Sequence, residues 1–187
     1  MYPARKVETG FRADYAKRAD FCGVFERDLK SLYLLAFLLT ANHKEAEQCF
    51  TLTADEAFKE QAVFKEWVGP WVKRCLIKNA IRVVSPMSAR SSEKRNVWST
   101  SQDATRGDSE IDAVTQLAPL ERFVFVMSIL ERYSAWDCSL LLGCSMNKVA
   151  QARVRALGGL PGIRALFPGV AFRGLETKFE GLLTAAG

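Results

Sequence analysis

The spacing of apolar residues predicts helices along the first half of the chain. From Asp20, which we predict as an N-cap, apolar residues recur at steps of three or four through residues 21–39. Asn42 with Glu45 three positions later has the form of a capping box and predicts a second helix. A third helical segment is predicted over residues 63–84. Because no stretch alternates with a period of two, we expect no strands in this half.

The second half begins with a change of composition. Residues 85–112 are rich in serine and charge, which predicts a flexible linker. Pro119 then opens a helix, and Ser134 and Ser145 each cap a shorter one, with Gly143 between them. We therefore predict an all-α fold of two small helical domains joined by a flexible linker, the second domain a helix-turn-helix. The predicted divisions are a helical domain at 1–84, a linker at 85–112, a helix-turn-helix domain at 113–160 and a C-terminal extension at 161–187.

The helix-turn-helix prediction depends on spacing around Gly143. Two short helices that cross steeply need a small residue at their contact and a turn residue that tolerates positive φ. Ser139 lies four residues before Gly143, and Val149 lies six after it. An ordinary helical hairpin with a solvated outer face is the alternative. If the segment is a helix-turn-helix, the outward face of its second helix fits a DNA major groove, with Arg or Gln on base edges and Lys on phosphate. The residues predicted on that face are Lys148, Gln151 and Arg155.

A second candidate is the segment 64–82, where two tryptophans alternate with cations. Trp67 and Trp71 lie among Lys65, Lys73, Arg74, Lys78 and Arg82. Rings that stack on bases and cations that hold phosphates suit single-stranded DNA. Two tryptophans four apart on a helix are more often core residues, however, and spacing alone favours that interpretation.

Composition and motifs narrow the class of protein. The net charge of +5 is compatible with nucleic acid, but it is weak support by itself. Five cysteines without a CxxC pair suit a reducing compartment, and no run of apolar residues is long enough to span a membrane. We therefore expect a cytoplasmic protein with no membrane insertion. His43 is the single histidine, and no catalytic or metal-binding motif is present, so we expect neither an enzyme nor a cofactor.

Taken in chain order, several short motifs resemble those of a known family. They are Leu32-Tyr33-Leu34-Leu35-Ala36, Leu39-Thr40 with Glu45-Ala46-Glu47, Trp71-Val72 with Ile77-Lys78-Asn79, Leu117-Ala118-Pro119-Leu120-Glu121-Arg122-Phe123-Val124-Phe125, and Gly143-Cys144-Ser145 with Val149 and Arg155-Ala156. Their order and spacing over residues 20–160 resemble an alternative sigma factor of bacterial RNA polymerase, of the extracytoplasmic-function (ECF) type.

The resemblance implies a transcription initiation factor that directs core RNA polymerase to promoter DNA. It implies an anti-sigma protein as a further partner. It also implies that Glu45, Glu47 and Gln48 bind the polymerase. The residues that it implies for binding the melted upstream strand are Trp67, Trp71, Lys73, Arg74, Lys78, Asn79 and Arg82. Those that it implies for binding the promoter through the recognition helix are Asn147, Lys148, Gln151 and Arg155. Linking two weak DNA-binding modules through a tether multiplies their affinities.

Two other functions stay open. Residues 48–52 are mostly uncharged where the family carries acidic and amide residues for polymerase contact. One alternative is therefore a stand-alone helix-turn-helix regulator that has lost polymerase binding. The other is a helical adaptor that binds only protein, its basic faces simply solvated.

Overall fold

A computed structural model describes residues 14–59, 62–88 and 106–160. Within these ranges every regular element is helical, and one isolated antiparallel bridge joins Tyr15 to Phe64. The α-helices are α1 (Arg18–Thr40), α2 (His43–Ala57), α3 (Val68–Val84), α4 (Arg106–Thr115), α5 (Pro119–Phe125), α6 (Ala135–Leu142) and α7 (Met146–Gly158). A 3₁₀ turn at Lys65–Trp67 precedes α3, and a π-helical segment at Val126–Leu130 continues α5. The predicted all-α class is confirmed.

Helices α1, α2 and α3 form an N-terminal bundle around the long α1. One face of α1 is buried against the other two helices, and Leu32, Ala36 and Leu39 are almost completely covered. The predicted N-cap at Asp20 is wrong, because α1 begins at Arg18 and Asp20 is the third residue of its first turn. Its carboxylate instead accepts the backbone N–H of Lys17 at 2.8 Å. An acidic residue can satisfy the free amides of a first turn from either position, so the sequence alone does not separate the two.

The predicted cap of α2 is confirmed. Asn42 Oδ1 accepts the backbone N–H groups of Lys44 at 2.9 Å and Glu45 at 3.3 Å. The preceding residue, Ala41, ends α1 with φ +55°, a conformation that glycine adopts more easily. The chain therefore reverses between α1 and α2 over two residues, and this places α2 alongside α1.

Helices α5 to α7 with the π-helical segment form a C-terminal bundle, and α4, which leads into it, packs against α1. The core of the bundle joins Phe123, Val124 and Met127 to Val149 and Ala152, all almost fully buried. Pro119 occupies the first position of α5, as predicted, where its missing N–H has no hydrogen bond to lose.

The boundary of the predicted linker differs in the structure. Helix α4 begins at Arg106, inside the predicted 85–112 segment, and its Val114 is buried. Polar residues in a first turn carry no hydrophobic periodicity, so the pattern revealed the helix only from Ile111 onward. Residues 1–13, 89–105 and 161–187, which include much of the predicted linker and the whole C-terminal extension, lie outside the described ranges.

The two bundles touch in the structure, since α5 and the π-helical segment both contact α1. Whether the two predicted domains fold separately stays a prediction. In the described part of the chain, no helix is both long enough and apolar enough to cross a membrane.

Candidate nucleic-acid interface

The segment from Ser134 to α7 folds into the two short helices that the sequence predicts. Ser134 Oγ accepts the Asp137 N–H at 3.0 Å, and Ser145 Oγ accepts the Lys148 N–H at 3.3 Å, so each helix has its predicted cap. Gly143 ends α6 with φ +63°. This left-handed conformation strains any residue with a Cβ, which explains glycine at the turn.

Helix α7 has one buried face and one exposed face. Val149, Ala152 and Ala156 are buried against the rest of the C-terminal bundle. The opposite side exposes the predicted set, Asn147, Lys148, Gln151 and Arg155. Arg155 is already engaged, because its Nε lies 2.7 Å from Glu121 Oε1. The exposed face therefore presents two amides, one guanidinium paired to a carboxylate, and the ammonium group of Lys148, which has no ion pair within the described ranges.

A second exposed face runs along α3. Trp67, Trp71, Arg74, Lys78 and Arg82 follow one another at steps of three or four, which places them on one side of a helix. Four of them are exposed, Trp67 by 58%, and Trp71 is half-buried. The ring of Trp71 packs edge-on against Phe21, with centroids 5.5 Å apart. The aromatic end of this face lies at the N-terminus of α3 and the cationic end lies toward its C-terminus.

Two residues predicted to bind DNA are placed elsewhere. Asn79 is fully buried, and its Nδ2 donates to Thr53 Oγ1 at 3.2 Å, so it braces α3 against α2. Its assignment to DNA is wrong, since it lies three and four positions from the buried Leu76 and Cys75, on the inner side of the helix. Lys73 is half-buried beside the C-terminal bundle, where its Nζ lies 2.8 Å from Glu131 Oε2.

A polar network fixes the guanidinium of Arg82. Its Nη1 donates to Glu56 Oε1 at 2.8 Å and to Asn79 Oδ1 at 2.9 Å. The Cys75 thiol donates to the other oxygen of Glu56 at 2.6 Å. The thiol's hydrogen bond, followed by that of Arg82, lowers the pKa of Glu56, whereas burial and this carboxylate raise the pKa of Cys75 to about 12. Arg82 is thus held at the surface by an ionised carboxylate.

The sequence interpretation missed two exposed aromatic residues near the start of α3. Tyr15 and Phe64 stack with ring centroids 5.0 Å apart and are 53% and 39% exposed. Phe64 could have been found, because it lies three residues before Trp67 on the same polar stretch. Tyr15 could not, since only the bridge between distant segments brings it there.

The three residues predicted for polymerase binding are distributed unevenly. Glu47 and Gln48 are exposed on α2, whereas Glu45 is half-buried in its first turn. Burial, with a smaller contribution from Glu45, raises the pKa of the neighbouring Cys49 to about 11. Two of the three predicted polymerase contacts, Glu47 and Gln48, are therefore exposed.

No metal centre is evident in the described ranges, which contain no group of three or more His, Cys, Asp or Glu side chains placed to hold an ion. Comparisons with protein-family models, with curated proteins and with solved structures find no significant match to this chain.

Proposed function

We propose that this chain is an ECF-like sigma factor that binds promoter DNA and core RNA polymerase. The observation that carries the proposal is the two-sided α7, capped by Ser145, joined to α6 through Gly143, and exposing Lys148 and Gln151 opposite a fully buried face. A helix that follows such a turn and displays donors along one side has the shape and chemistry to enter a major groove.

On this proposal α7 reads the upstream promoter element. Gln151 has an amide that can pair with both major-groove atoms of adenine, and Arg155 has the fork that pairs with guanine. Lys148 sits in the first turn, where its ammonium group can reach a phosphate. Each good bidentate pair contributes about 1–3 kcal/mol of discrimination against the wrong base.

The exposed face of α3 binds the separated strand in the same proposal. Trp67 and, three residues earlier in the chain, Phe64 with Tyr15 stacked on it are exposed and offer rings for unpaired bases. Arg74 and Lys78 follow along the helix and supply positive charge for the phosphates. Aromatic rings adjoining a run of cations are the arrangement that non-specific single-strand binding requires.

The test for α7 is a charge reversal with a matched control. We expect Lys148→Glu to weaken binding to DNA selected from a random-sequence duplex library by about tenfold, and to reduce the slope of log affinity against log salt. Lys30→Glu makes the same change in net charge on an exposed part of α1 and should stay within about twofold of wild type. Equal effects of the two variants would contradict the assignment of α7.

Polymerase binding is tested separately. Retention of bacterial core polymerase by the tagged protein, followed by new transcripts from a fragment pool, supports the sigma function. The half-burial of Glu45 leaves two of the three predicted polymerase contacts exposed, and this favours one second candidate, a helix-turn-helix regulator that binds DNA without polymerase. That candidate predicts salt-dependent DNA binding and no retained polymerase. The absence of both activities would leave the protein-binding adaptor.

A further inference from the structure

One buried arginine adds hydrogen bonds to the apolar contact between the C-terminal and N-terminal bundles. Arg122 of α5 is 3% exposed, and its guanidinium donates to the carbonyl groups of Leu39 at 3.0 Å and Thr40 at 3.2 Å. These are the last carbonyls of α1, which have no partner within the helix and carry the negative end of its dipole. The same guanidinium reaches the carbonyls of Thr115 and Leu117 at 3.2 Å each. One side chain therefore joins the ends of two helices across the contact.

A second contact crosses the same boundary at the edge of the DNA-facing helix. Glu131 follows the π-helical segment, and its carboxylate lies 2.8 Å from the ammonium group of Lys73 on α3. The charge of Lys73 also acts on Asp28 of α1, and these groups line a cleft of about 360 Å³ between the bundles. The next residue after Glu131, Arg132, has φ +58°, so the backbone adopts a strained turn where the carboxylate is presented.

We propose that this arrangement is a closed state in which Glu131 occupies the place of a DNA phosphate beside Lys73. The inference rests on the proposed function, because it takes α3 to be a DNA-binding helix. A carboxylate and a phosphate oxygen offer an ammonium group the same kind of charged acceptor, so the two compete for it. Lys73 is 43% exposed and lies next to Arg74 at the edge of the exposed α3 face, so DNA bound along that face reaches its ammonium group and displaces Glu131.

The strength of the pair suits a reversible contact. The side chains of Lys73 and Glu131 are 43% and 18% exposed, so the pair is partly solvated. Ion pairs of this kind contribute little to stability, and their removal changes an equilibrium by about two- to fivefold. Arg122, in contrast, is held by several buried hydrogen bonds and keeps the bundles close while Glu131 moves.

The experiment measures binding of a fluorescein-labelled oligothymidylate to the full chain by anisotropy at low salt. Glu131→Gln removes the competing charge, and we expect it to bind about two- to fivefold more tightly than wild type. Glu26→Gln is the matched control, because it makes the same change in net charge at an exposed α1 carboxylate without an ion pair among the described residues. In a Lys73→Met background, Glu131→Gln should give no gain, since the competed group is absent.

The outcomes separate the two proposals. Equal affinities of wild type, Glu131→Gln and Glu26→Gln would overturn the closed state while leaving DNA binding intact. A gain that persists in the Lys73→Met background would also overturn it, because the effect would then be a general change of charge. If none of the variants binds the probe, the proposed function fails and this inference fails with it.

Discussion

Replacing Arg122 with methionine should destabilise the whole chain, because the guanidinium is buried and donates to four carbonyl groups. Methionine keeps an unbranched apolar stem, although a shorter one, and removes every donor. A hydrogen bond to a charged group contributes about 1.5–3 kcal/mol, but such values do not add within one network. A buried acceptor that loses its donor costs about 1–3 kcal/mol, and several carbonyls lose theirs here, so we expect a loss of about 3 kcal/mol.

That loss is a large part of the total, since folded proteins of ordinary size are stable by about 5–15 kcal/mol. Arg122→Lys should lose less, because it keeps the charge but lacks the planar fork that reaches several carbonyls together. Arg27→Met is the matched control, since that guanidinium is exposed and pairs only with the adjacent Asp28 among the described residues. We expect the control to change the free energy of unfolding by less than about 0.5 kcal/mol.

The assay is urea unfolding followed by circular dichroism and by tryptophan fluorescence. If Arg122 couples the bundles, its removal also separates the two signals into transitions with different midpoints. A free energy of unfolding for Arg122→Met within about 1 kcal/mol of the Arg27→Met value would refute the reasoning.

Three further predictions follow from local features. Arg132→Gly should raise the free energy of unfolding by about 1 kcal/mol, because Arg132 has φ +58°, a conformation that glycine adopts without strain. Ala150→Gly, on the exposed side of α7, should lower the free energy of unfolding by a similar amount, because glycine is a poor helix former. Thermal unfolding measures both effects. The lowered pKa of Glu56 adds stability that is present above its unfolded pKa and is lost as pH falls through the folded value. Glu56→Gln should therefore flatten the loss of stability between about pH 5 and pH 3, and Asp55→Asn should not, in acid titrations of the unfolding midpoint. Burial raises the pKa values of the Cys49, Cys75 and Cys138 thiols to about 11, 12 and 11. These thiols should therefore resist a disulfide reagent at neutral pH until urea is added. Rapid labelling of the native chain would contradict this.

Much of the secondary structure could be predicted because its signals are local. Asn42, Ser134 and Ser145 cap their helices through backbone amides two or three residues away, and Gly143 supplies its own φ. Hydrogen bonds of such short range are set by the neighbouring sequence, whatever the rest of the chain does. The exposed side of α7 follows from the same logic, since its period is that of the helix.

The candidate site could be predicted only in part. Lys78 and Asn79 are neighbours in sequence, yet one is exposed and the other is fully buried against α2. The helical period predicts that Lys78 and Asn79 point in different directions. Composition and motif resemblance, in contrast, assign both residues to the same surface. Lys73 differs again, because its partner Glu131 comes from the other bundle.

The sequence by itself determined the helical class, most helix ends and the polar side of α7. Only the tertiary structure decided that Arg122 closes the end of α1, that Glu131 meets Lys73 and that Tyr15 stacks on Phe64. The physical reason is range. A cap or an amphipathic face depends on residues within one or two turns, whereas these contacts join residues far apart in the chain, whose meeting depends on how whole helices pack.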